Sequence, residues 1–305
     1  MPRRRGRGRD VHGVLLFDKP VGMTSNEALQ HVKRLYQARK AGHTGSLDRT
    51  ASGLLPLCLG EATKFSSFLL ESDKRYTATC RLGIRTATGD AAGEVLETRP
   101  VPKLDRERLE SVLRGFRGEI QQVPPMFSAL KHHGQRLYDL AYQGIEVERQ
   151  PRPVTIHLLE LLDLGADRFT IRVVCSKGTY IRTLAEDIGE KLECGAHVEA
   201  LRRTGVGPFG ESEMRTAEAL QSAAAAGMAA LDAQLLGTDA VLRDVPEVRL
   251  AESVAFYLGQ GQPVVVPHAP TQGMVRLYAE SGEFLGAGEV LDDGRVAPRR
   301  LISRD

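Results

Sequence analysis

Apolar and polar residues follow two different periods along the chain, and these periods predict a mixture of strands and helices. Apolar side chains occupy every second position over residues 76–82, which is typical of a strand with one buried face. After Thr24, apolar residues recur on one helical face, and Glu27 completes a capping box with Thr24. Similar patterns predict helices at residues 61–71, 105–116, 136–143 and 179–192, and strands at residues 14–17, 154–164, 168–175 and 197–204.

The pattern changes near residue 245, where short apolar runs alternate with turn dipeptides such as Ser281-Gly282. We predict strands at residues 253–258, 264–266, 274–279 and 284–290, and therefore a small β-rich domain. The chain divides into a basic arm (1–10), an α+β body (11–240) and this C-terminal domain (241–305). The body contains a Pro-rich polar insertion at about 124–152, of the kind that often serves as a binding loop, and an Ala-rich acidic connector at about 211–240.

The composition is that of an ordinary soluble protein. Hydrophobic residues make up 42% of the 305 positions and charged residues 26%, and no apolar run approaches the roughly 18 residues of a membrane-spanning helix. The four cysteines form no CxxC pair, so we predict buried thiols and a reducing, cytoplasmic environment. These features exclude a disulfide scaffold and a membrane protein.

Positive charge is concentrated at the start of the chain. The formal net charge is only +2, but the first 50 residues hold eleven basic and four acidic side chains. A basic N-terminal region is typical of a protein that binds a polyanion such as nucleic acid. A solvated charged surface explains the same pattern, and charge alone does not separate the two interpretations.

Motifs for common cofactors are incomplete in this sequence. Gly205, Gly207 and Gly210 match GxGxxG, but Pro208 interrupts the motif and no helix pattern follows directly, as a dinucleotide site requires. The spacing of Cys194 and His197 suits a metal, but no second Cys/His pair stands at finger spacing. The sequence therefore predicts neither a metal nor a cofactor.

Asp48 is the most informative acidic residue. It lies in a stretch that contains Gly42, Gly45, Gly53 and Gly60, and such density of glycine lets another backbone approach closely. A carboxylate presented by this loop is a candidate functional group. The same carboxylate could equally cap a following helix, and local physics leaves both interpretations open.

Three motifs in fixed order resemble the TruB family of pseudouridine synthases. They are KPVGMTS at residues 19–25, GHTGSLD at residues 42–48, and SKGTYIRT at residues 176–183. Residues 273–276 and 294–300 are similar to the PUA-like RNA-binding domain that ends these enzymes. The resemblance runs from Val11 to near the C-terminus and does not explain the basic arm. It implies a catalytic domain with a bent, mainly antiparallel sheet and flanking helices, followed by the PUA-like domain.

The resemblance also implies an activity, namely isomerisation of uridine 55 in the T loop of tRNA to pseudouridine without a cofactor. Asp48 matches the family's catalytic aspartate, Arg182 the arginine that pairs with it, and Tyr76 the tyrosine that stacks on the target base and assists proton removal at C5. An arginine can hold a carboxylate ionised through a bidentate contact. The implied partner is the tRNA T arm, for a cytoplasmic monomer that needs no stable protein partner.

Further positions match residues that bind the substrate in this family. The target base must be flipped out of the loop, and His43 matches the histidine that braces the resulting gap. We expect the insertion to close over the RNA and to be mobile without it. The other implied binding residues are Tyr180 and Leu201 in the uridine pocket, Lys19 and Pro20 in the supporting loop, and Lys131, His132 and Arg136 in the insertion.

One departure and two alternatives accompany this interpretation. Arg49 and Thr50 follow Asp48 where a proline is common in bacterial relatives, so we expect more backbone freedom beside the nucleophile. The basic arm, the insertion and the terminal domain would also suit a protein that binds or folds RNA without catalysis. A related synthase that acts on ribosomal RNA is the second alternative.

Overall fold

A computed structural model describes residues 8–303, in which strands and α-helices alternate along the chain. The helices are α1 (Ser25–Leu35), α2 (Ser66–Glu71), α3 (Arg106–Arg114), α4 (Leu137–Tyr142), α5 (Ile181–Lys191), α6 (Ala217–Ala225), α7 (Met228–Asp232) and α8 (Glu252–Gly259). The strands of the body are β1 (Gly13–Lys19), β2 (Ala41–His43), β3 (Ala51–Leu59), β4 (Lys74–Leu82), β5 (Ile84–Thr86), β6 (Val95–Thr98), β7 (Gly118–Gln122), β8 (Lys131–His132), β9 (Gln135–Arg136), β10 (Arg152–Leu164), β11 (Arg168–Cys175), β12 (Ala196–Val206) and β13 (Phe209–Gly210). The C-terminal strands are β14 (Glu247–Leu250), β15 (Gly273–Ala279), β16 (Phe284–Val290) and β17 (Val296–Leu301).

One large sheet organises the body. Its strands run in the order β1-β3-β12-β4-β11-β10-β7, with β2 beside β3 and β13 beside β12. All neighbours pair antiparallel except β12 and β3, which are parallel over three residue pairs. The predicted α+β class with a mainly antiparallel sheet is confirmed.

The body's main hydrophobic core lies between the sheet and its helices. The buried faces of α1, α3 and α5 pack there with inward-facing residues of β3, β4, β10 and β11. The predicted start of α1 is confirmed, because Thr24 Oγ1 accepts from the Glu27 amide at 3.1 Å and a Glu27 oxygen accepts from the Thr24 amide at 2.7 Å.

Strand β3 was not predicted, because its residues read as a glycine-rich loop. Pro56 sits inside it, and proline removes a ladder donor. Gly53 adopts φ +100°, and a Cβ there would lie 2.3 Å from the carbonyl oxygen of Arg203 on β12. Glycine is therefore required by the close approach of a neighbouring strand, which a single-strand pattern does not reveal.

The C-terminal residues form a four-stranded sheet in the order β14-β15-β16-β17. The strand predicted at residues 253–258 is wrong, because the segment is helix α8, which buries Ala255 and Leu258 at a spacing of three. A short apolar run cannot by itself distinguish a strand from a helix. The run at residues 264–266 makes a single bridge, from Val264 to Val296, rather than a strand.

The C-terminal sheet is packed directly against the body. The ring of Phe65, after β3, packs at a tilt against that of Phe284 on β16, with ring centroids 5.5 Å apart. The Tyr278 hydroxyl donates to Asp239 at 2.6 Å, and Lys64 donates to the Leu301 carbonyl at 3.1 Å. Hydrophobic and polar contacts together fix the terminal domain beside the segment that follows β3.

Two further segments lie at the edges of the body. Residues 123–151 connect the antiparallel neighbours β7 and β10 and contain the β8–β9 hairpin and α4. Most of the predicted basic arm, residues 1–7, lies outside the described residues, while Arg9 forms an ion pair with Asp232 at the end of α7. Between residues 8 and 303, no helix is long and apolar enough to cross a membrane.

Candidate active site

Asp48 lies on the loop between β2 and β3, and residues of the KPVGMTS segment form hydrogen bonds with that loop. The Ser25 hydroxyl accepts from the Leu47 amide at 2.7 Å and donates to the Leu47 carbonyl at 3.1 Å. The Arg49 guanidinium donates to the Gly22 carbonyl at 2.7 Å and pairs with Glu27 at 3.0 Å. The residues on both sides of Asp48 are therefore tied to the first motif, and the Arg49 side chain is anchored at two points.

Lys19 supports the same region from inside the protein. Its side chain is fully buried, and its ammonium donates to the Pro20 carbonyl at 2.9 Å and the Met23 carbonyl at 2.7 Å. Pro20 itself is exposed on the turn. Burial lowers the pKa of Lys19 to about 8, and the nearby Asp48 carboxylate opposes that shift. The predicted role of Lys19 in shaping the loop stays a prediction, and these contacts support it.

The buried ammonium leads to a testable pH dependence of stability. Between about pH 8 and the pKa of roughly 10.4 in an unfolded chain, the unfolded state holds a proton on Lys19 that the folded state has lost. The free energy of unfolding therefore rises with pH in this window because of Lys19, and Lys19→Met removes that rise. We expect the Tm of wild type minus that of Lys19→Met to increase by about 2–4 °C from pH 7.5 to pH 9.5 in scanning calorimetry. A constant difference would contradict the assignment.

Asp48 is paired with Arg182 from the first turn of α5. Arg182 Nε lies 2.9 Å from Asp48 Oδ2, and the arginine side chain is 6% exposed whereas the aspartate side chain is 45% exposed. Arg182 also donates to the carbonyl oxygens of Thr88 and Phe127, both at 2.7 Å. A buried, fixed guanidinium thus presents an accessible carboxylate at the surface of a pocket.

That pocket contains an acidic residue which the sequence interpretation missed. Asp90 is buried, and its carboxylate accepts from the Thr50 hydroxyl at 2.8 Å and the Thr88 hydroxyl at 2.5 Å. It links the segment after Asp48 to the turn whose Thr88 carbonyl receives Arg182. Thr50 lies 40 residues away in sequence, so no local motif marks the link from Asp90 to the Asp48 loop. The pocket is lined by Asp48, Thr50, Asp90, Arg182, Val198, Glu199, Ala200 and Leu201.

The two predicted aromatic groups lie near Asp48, and the predicted imidazole lies near Arg203. Burial raises the pKa of the phenols of Tyr76 on β4 and Tyr180 before α5, and the charge of Asp48 adds a smaller contribution to each. Burial also lowers the pKa of His43, and its Nδ1 atom is buried without a hydrogen-bond partner among the described residues. Leu201 lines the pocket together with Asp48, whereas the charge that acts on His43 is that of Arg203.

The start of the insertion contacts the site, while its basic residues lie elsewhere. Gln122, the last residue of β7 before the insertion, accepts a hydrogen bond from the Tyr180 amide at 3.0 Å and donates one to the Tyr180 carbonyl at 3.2 Å. The predicted RNA-binding residues Lys131 and His132 line a separate cavity of about 380 Å³. Arg136 donates to the Tyr138 hydroxyl at 2.6 Å. The structure thus brings none of these three basic residues to Asp48.

Solved structures share the fold over nearly the whole chain. A structure described as an H/ACA RNP bound to a substrate RNA containing 2′-deoxyuridine matches with a TM-score of 0.74 and 23% identity, covering 96% of this chain and 85% of that one. A Cbf5-Nop10-Gar1 complex matches with a TM-score of 0.73 and 26% identity, covering 96% and 84%. The body and its terminal β domain therefore have the fold of pseudouridine synthases.

Sequence relatives define the family within this class. The model of the TruB family pseudouridylate synthase N-terminal domain matches residues 33–181, the tRNA pseudouridylate synthase B C-terminal domain matches 182–243, and the Pseudouridine synthase II TruB C-terminal model matches 246–302. The tRNA pseudouridine synthase B of Nitrosococcus oceani is 60% identical over 299 residues, covering 98% of this chain and 97% of that protein. That of Coxiella burnetii is 57% identical over 297 residues, covering 97% and 96%. The chain belongs to the TruB family of pseudouridylate synthases.

Proposed function

We propose that this enzyme converts uridine 55 in the T loop of tRNA to pseudouridine, with Asp48 as its nucleophile. The tRNA substrate is supported by the relatives named tRNA pseudouridine synthase B, which match almost end to end. The single observation that carries the aspartate mechanism is the accessible Asp48 carboxylate on the buried Arg182 guanidinium. The reaction class needs only a nucleophile and proton transfers, because it is an isomerisation in which the nucleoside loses one proton from C5 and gains one on N1.

Asp48 supplies covalent catalysis in this proposal. Its oxygen forms a temporary bond to either the base or the ribose C1′. By both routes the N1–C1′ bond breaks, the base turns, a C5–C1′ bond forms, and the bond to Asp48 breaks again to return the free carboxylate. The proton on C5 is then removed and a proton is placed on N1, which balances the isomerisation. Arg182 orients Asp48 through the Nε contact, so that the carboxylate is positioned before the substrate arrives.

Tyr76 stacks on the target base and assists removal of the C5 proton. Its ring is buried within reach of the charge of Asp48, so a base over Asp48 would also meet Tyr76. Tyr180 and Leu201 complete the uridine pocket. A flat, neutral His43 ring suits the space that the flipped base leaves in the loop, and its pKa is lowered by burial.

The remaining parts of the chain bind RNA outside the pocket. Lys131, His132 and Arg136 contact the RNA backbone from the insertion, which we expect to be mobile until RNA binds. We assign residues 11–240 to the catalytic domain and residues 241–305 to a PUA-like RNA-binding domain, with the basic arm (1–10) as an additional phosphate contact. The enzyme acts in the cytoplasm as a monomer, without a stable protein partner.

Tritium release tests this function directly. An unmodified T-arm RNA labelled with tritium at C5 of uridine should release one tritium per RNA when incubated with the purified protein, without added metal or nucleotide. Mapping the product should place pseudouridine at position 55. Tight binding without release would favour the alternative of a binding or folding role, and release only from ribosomal RNA would favour the other class of target.

A further inference from the structure

Arg203 is a buried cation in the middle of the main sheet. It lies on β12, where that strand pairs on one side with β3 and on the other with β4, and its partners in register are Gly53 and Tyr76. Its side chain is among the largest fully buried ones in the described residues, with 1% exposure. Neighbouring Arg202 points the other way and is half-exposed, paired with Asp18 and Glu211.

The guanidinium of Arg203 is bound to the loop that carries Asp48. Its Nη1 donates to the Ser46 carbonyl and its Nη2 to the Gly45 carbonyl, both at 3.3 Å. Its Nε donates to the Leu54 carbonyl at 2.7 Å, on the strand that follows the loop. One planar group therefore holds the backbone on both sides of Asp48.

The charge of Arg203 is not neutralised by an acid. Within residues 8–303, no carboxylate oxygen lies within the 4.0 Å ion-pair distance of its guanidinium. The positive charge instead lies beside Tyr76, the partner of Arg203 in register on β4, whose side chain is on the same face of the sheet. Burial raises the pKa of the Tyr76 phenol, and the nearby charge of Arg203 opposes the rise. Arg203 thus holds the Asp48 loop and lies next to Tyr76.

A structural role alone does not account for this choice of residue. Burying a guanidinium is costly, and an apolar residue at a central sheet position fills the same space without the desolvation penalty. The two residues that flank Tyr76 on the same face of β4 are Lys74 and Ala78, and Ala78 is fully buried. We therefore attribute the buried Arg203 cation to the groups that it orients.

We propose that Arg203 is a positioning residue that sets the distance between the Asp48 loop and the Tyr76 hydroxyl and supplies the positive charge that Tyr76 faces. The inference rests on the proposed function, since it assigns Arg203 a role in the same reaction. It concerns the chemical step rather than RNA binding, because a fully buried side chain does not touch the RNA. Lysine keeps the charge but lacks the planar fork that reaches the carbonyl groups of Gly45, Ser46 and Leu54 together.

A double-mutant cycle between Arg203 and Tyr76 tests the proposal. Single-turnover pseudouridine formation on T-arm RNA is measured for wild type, Arg203→Lys, Tyr76→Phe and the double variant, together with the Kd of the RNA and the Tm. We expect Arg203→Lys to lower the single-turnover rate about 100-fold with the Kd within about threefold. In the Tyr76→Phe background the same change should cost less than about tenfold, because the two residues act through one contact.

The controls separate the possible outcomes. Arg202→Lys, one position along the same strand, should stay within about twofold of the wild-type rate. If Arg203→Lys reduces the rate by the same factor with and without the Tyr76 hydroxyl, or leaves it unchanged, the proposal is overturned. If Arg203→Lys is unfolded at the assay temperature, the cycle is repeated with Arg203→Gln, which keeps donors for a carbonyl, at a temperature where circular dichroism shows it folded. An inactive wild type would contradict the proposed function instead, which distinguishes the two failures.

Discussion

Replacing Asp48 by asparagine is expected to abolish pseudouridine formation while RNA binding survives. Asparagine is nearly isosteric with aspartate, but its amide is neither charged nor nucleophilic, so the single-turnover rate should fall by about 10⁴-fold or more. The Asp48 side chain is one exposed group on a loop anchored by Ser25 and Arg49. The loop should therefore keep its shape, and the Kd for T-arm RNA should stay within about tenfold, since phosphate contacts dominate affinity.

The measurement combines tritium release with filter binding on the same RNA. Asp73→Asn is a suitable control, because Asp73 is an exposed carboxylate that pairs with His157 outside the pocket. This control should retain the wild-type rate. Residual release by Asp48→Asn within about tenfold of wild type would mean that another group is the nucleophile. Loss of binding together with activity would mean that the substitution had disturbed the fold.

The fold could be predicted where each element carries its own pattern. Strand β4 alternates buried and half-buried residues along its length, and α1 has both a capping box and an apolar face. Strand β3 has neither signal. Gly53 is required by the close approach of β12, and Pro56 is accommodated between β1 and Thr44, whose amide donates to the Pro56 carbonyl. Helix α8 is apolar on its exposed and buried faces alike, with Phe256 and Tyr257 exposed. The spacing of its apolar residues therefore does not show a helical period.

The site also contains residues that a local motif identifies and residues that only contacts between distant elements identify. Asp48 and Arg182 stand in motifs, and the structure brings them within 2.9 Å although they are far apart in sequence. Asp90 and Arg203 stand in no motif that the sequence interpretation used. Each acts through backbone or hydroxyl partners on other elements, and such contacts exist only once the sheet is assembled.

Replacing Arg182 by lysine is expected to damage both the chemical step and the closure of the insertion. Lysine retains a positive charge, but its single ammonium cannot contact Asp48, the Thr88 carbonyl and the Phe127 carbonyl in the arginine's geometry. Misplacement of Asp48 by about 1 Å should lower the single-turnover rate about 100-fold. Phe127 lies at the base of the insertion, so losing its contact should also raise the Kd for T-arm RNA, by about three- to tenfold.

Two readouts distinguish this prediction from a general loss of stability. The single-turnover rate at saturating RNA reports the Asp48 contact. Proteolysis of the insertion in the absence of RNA reports the Phe127 contact, and we expect the insertion to be cleaved faster in Arg182→Lys than in wild type. Arg172→Lys is the matched control, because Arg172 is an exposed arginine on β11 that pairs only with Glu160 among the described side chains. A lower rate with unchanged affinity and proteolysis would mean that Arg182 acts only through the Asp48 carboxylate. Changes in all three, with Arg172→Lys unaffected, would establish that one buried guanidinium couples Asp48 to the insertion.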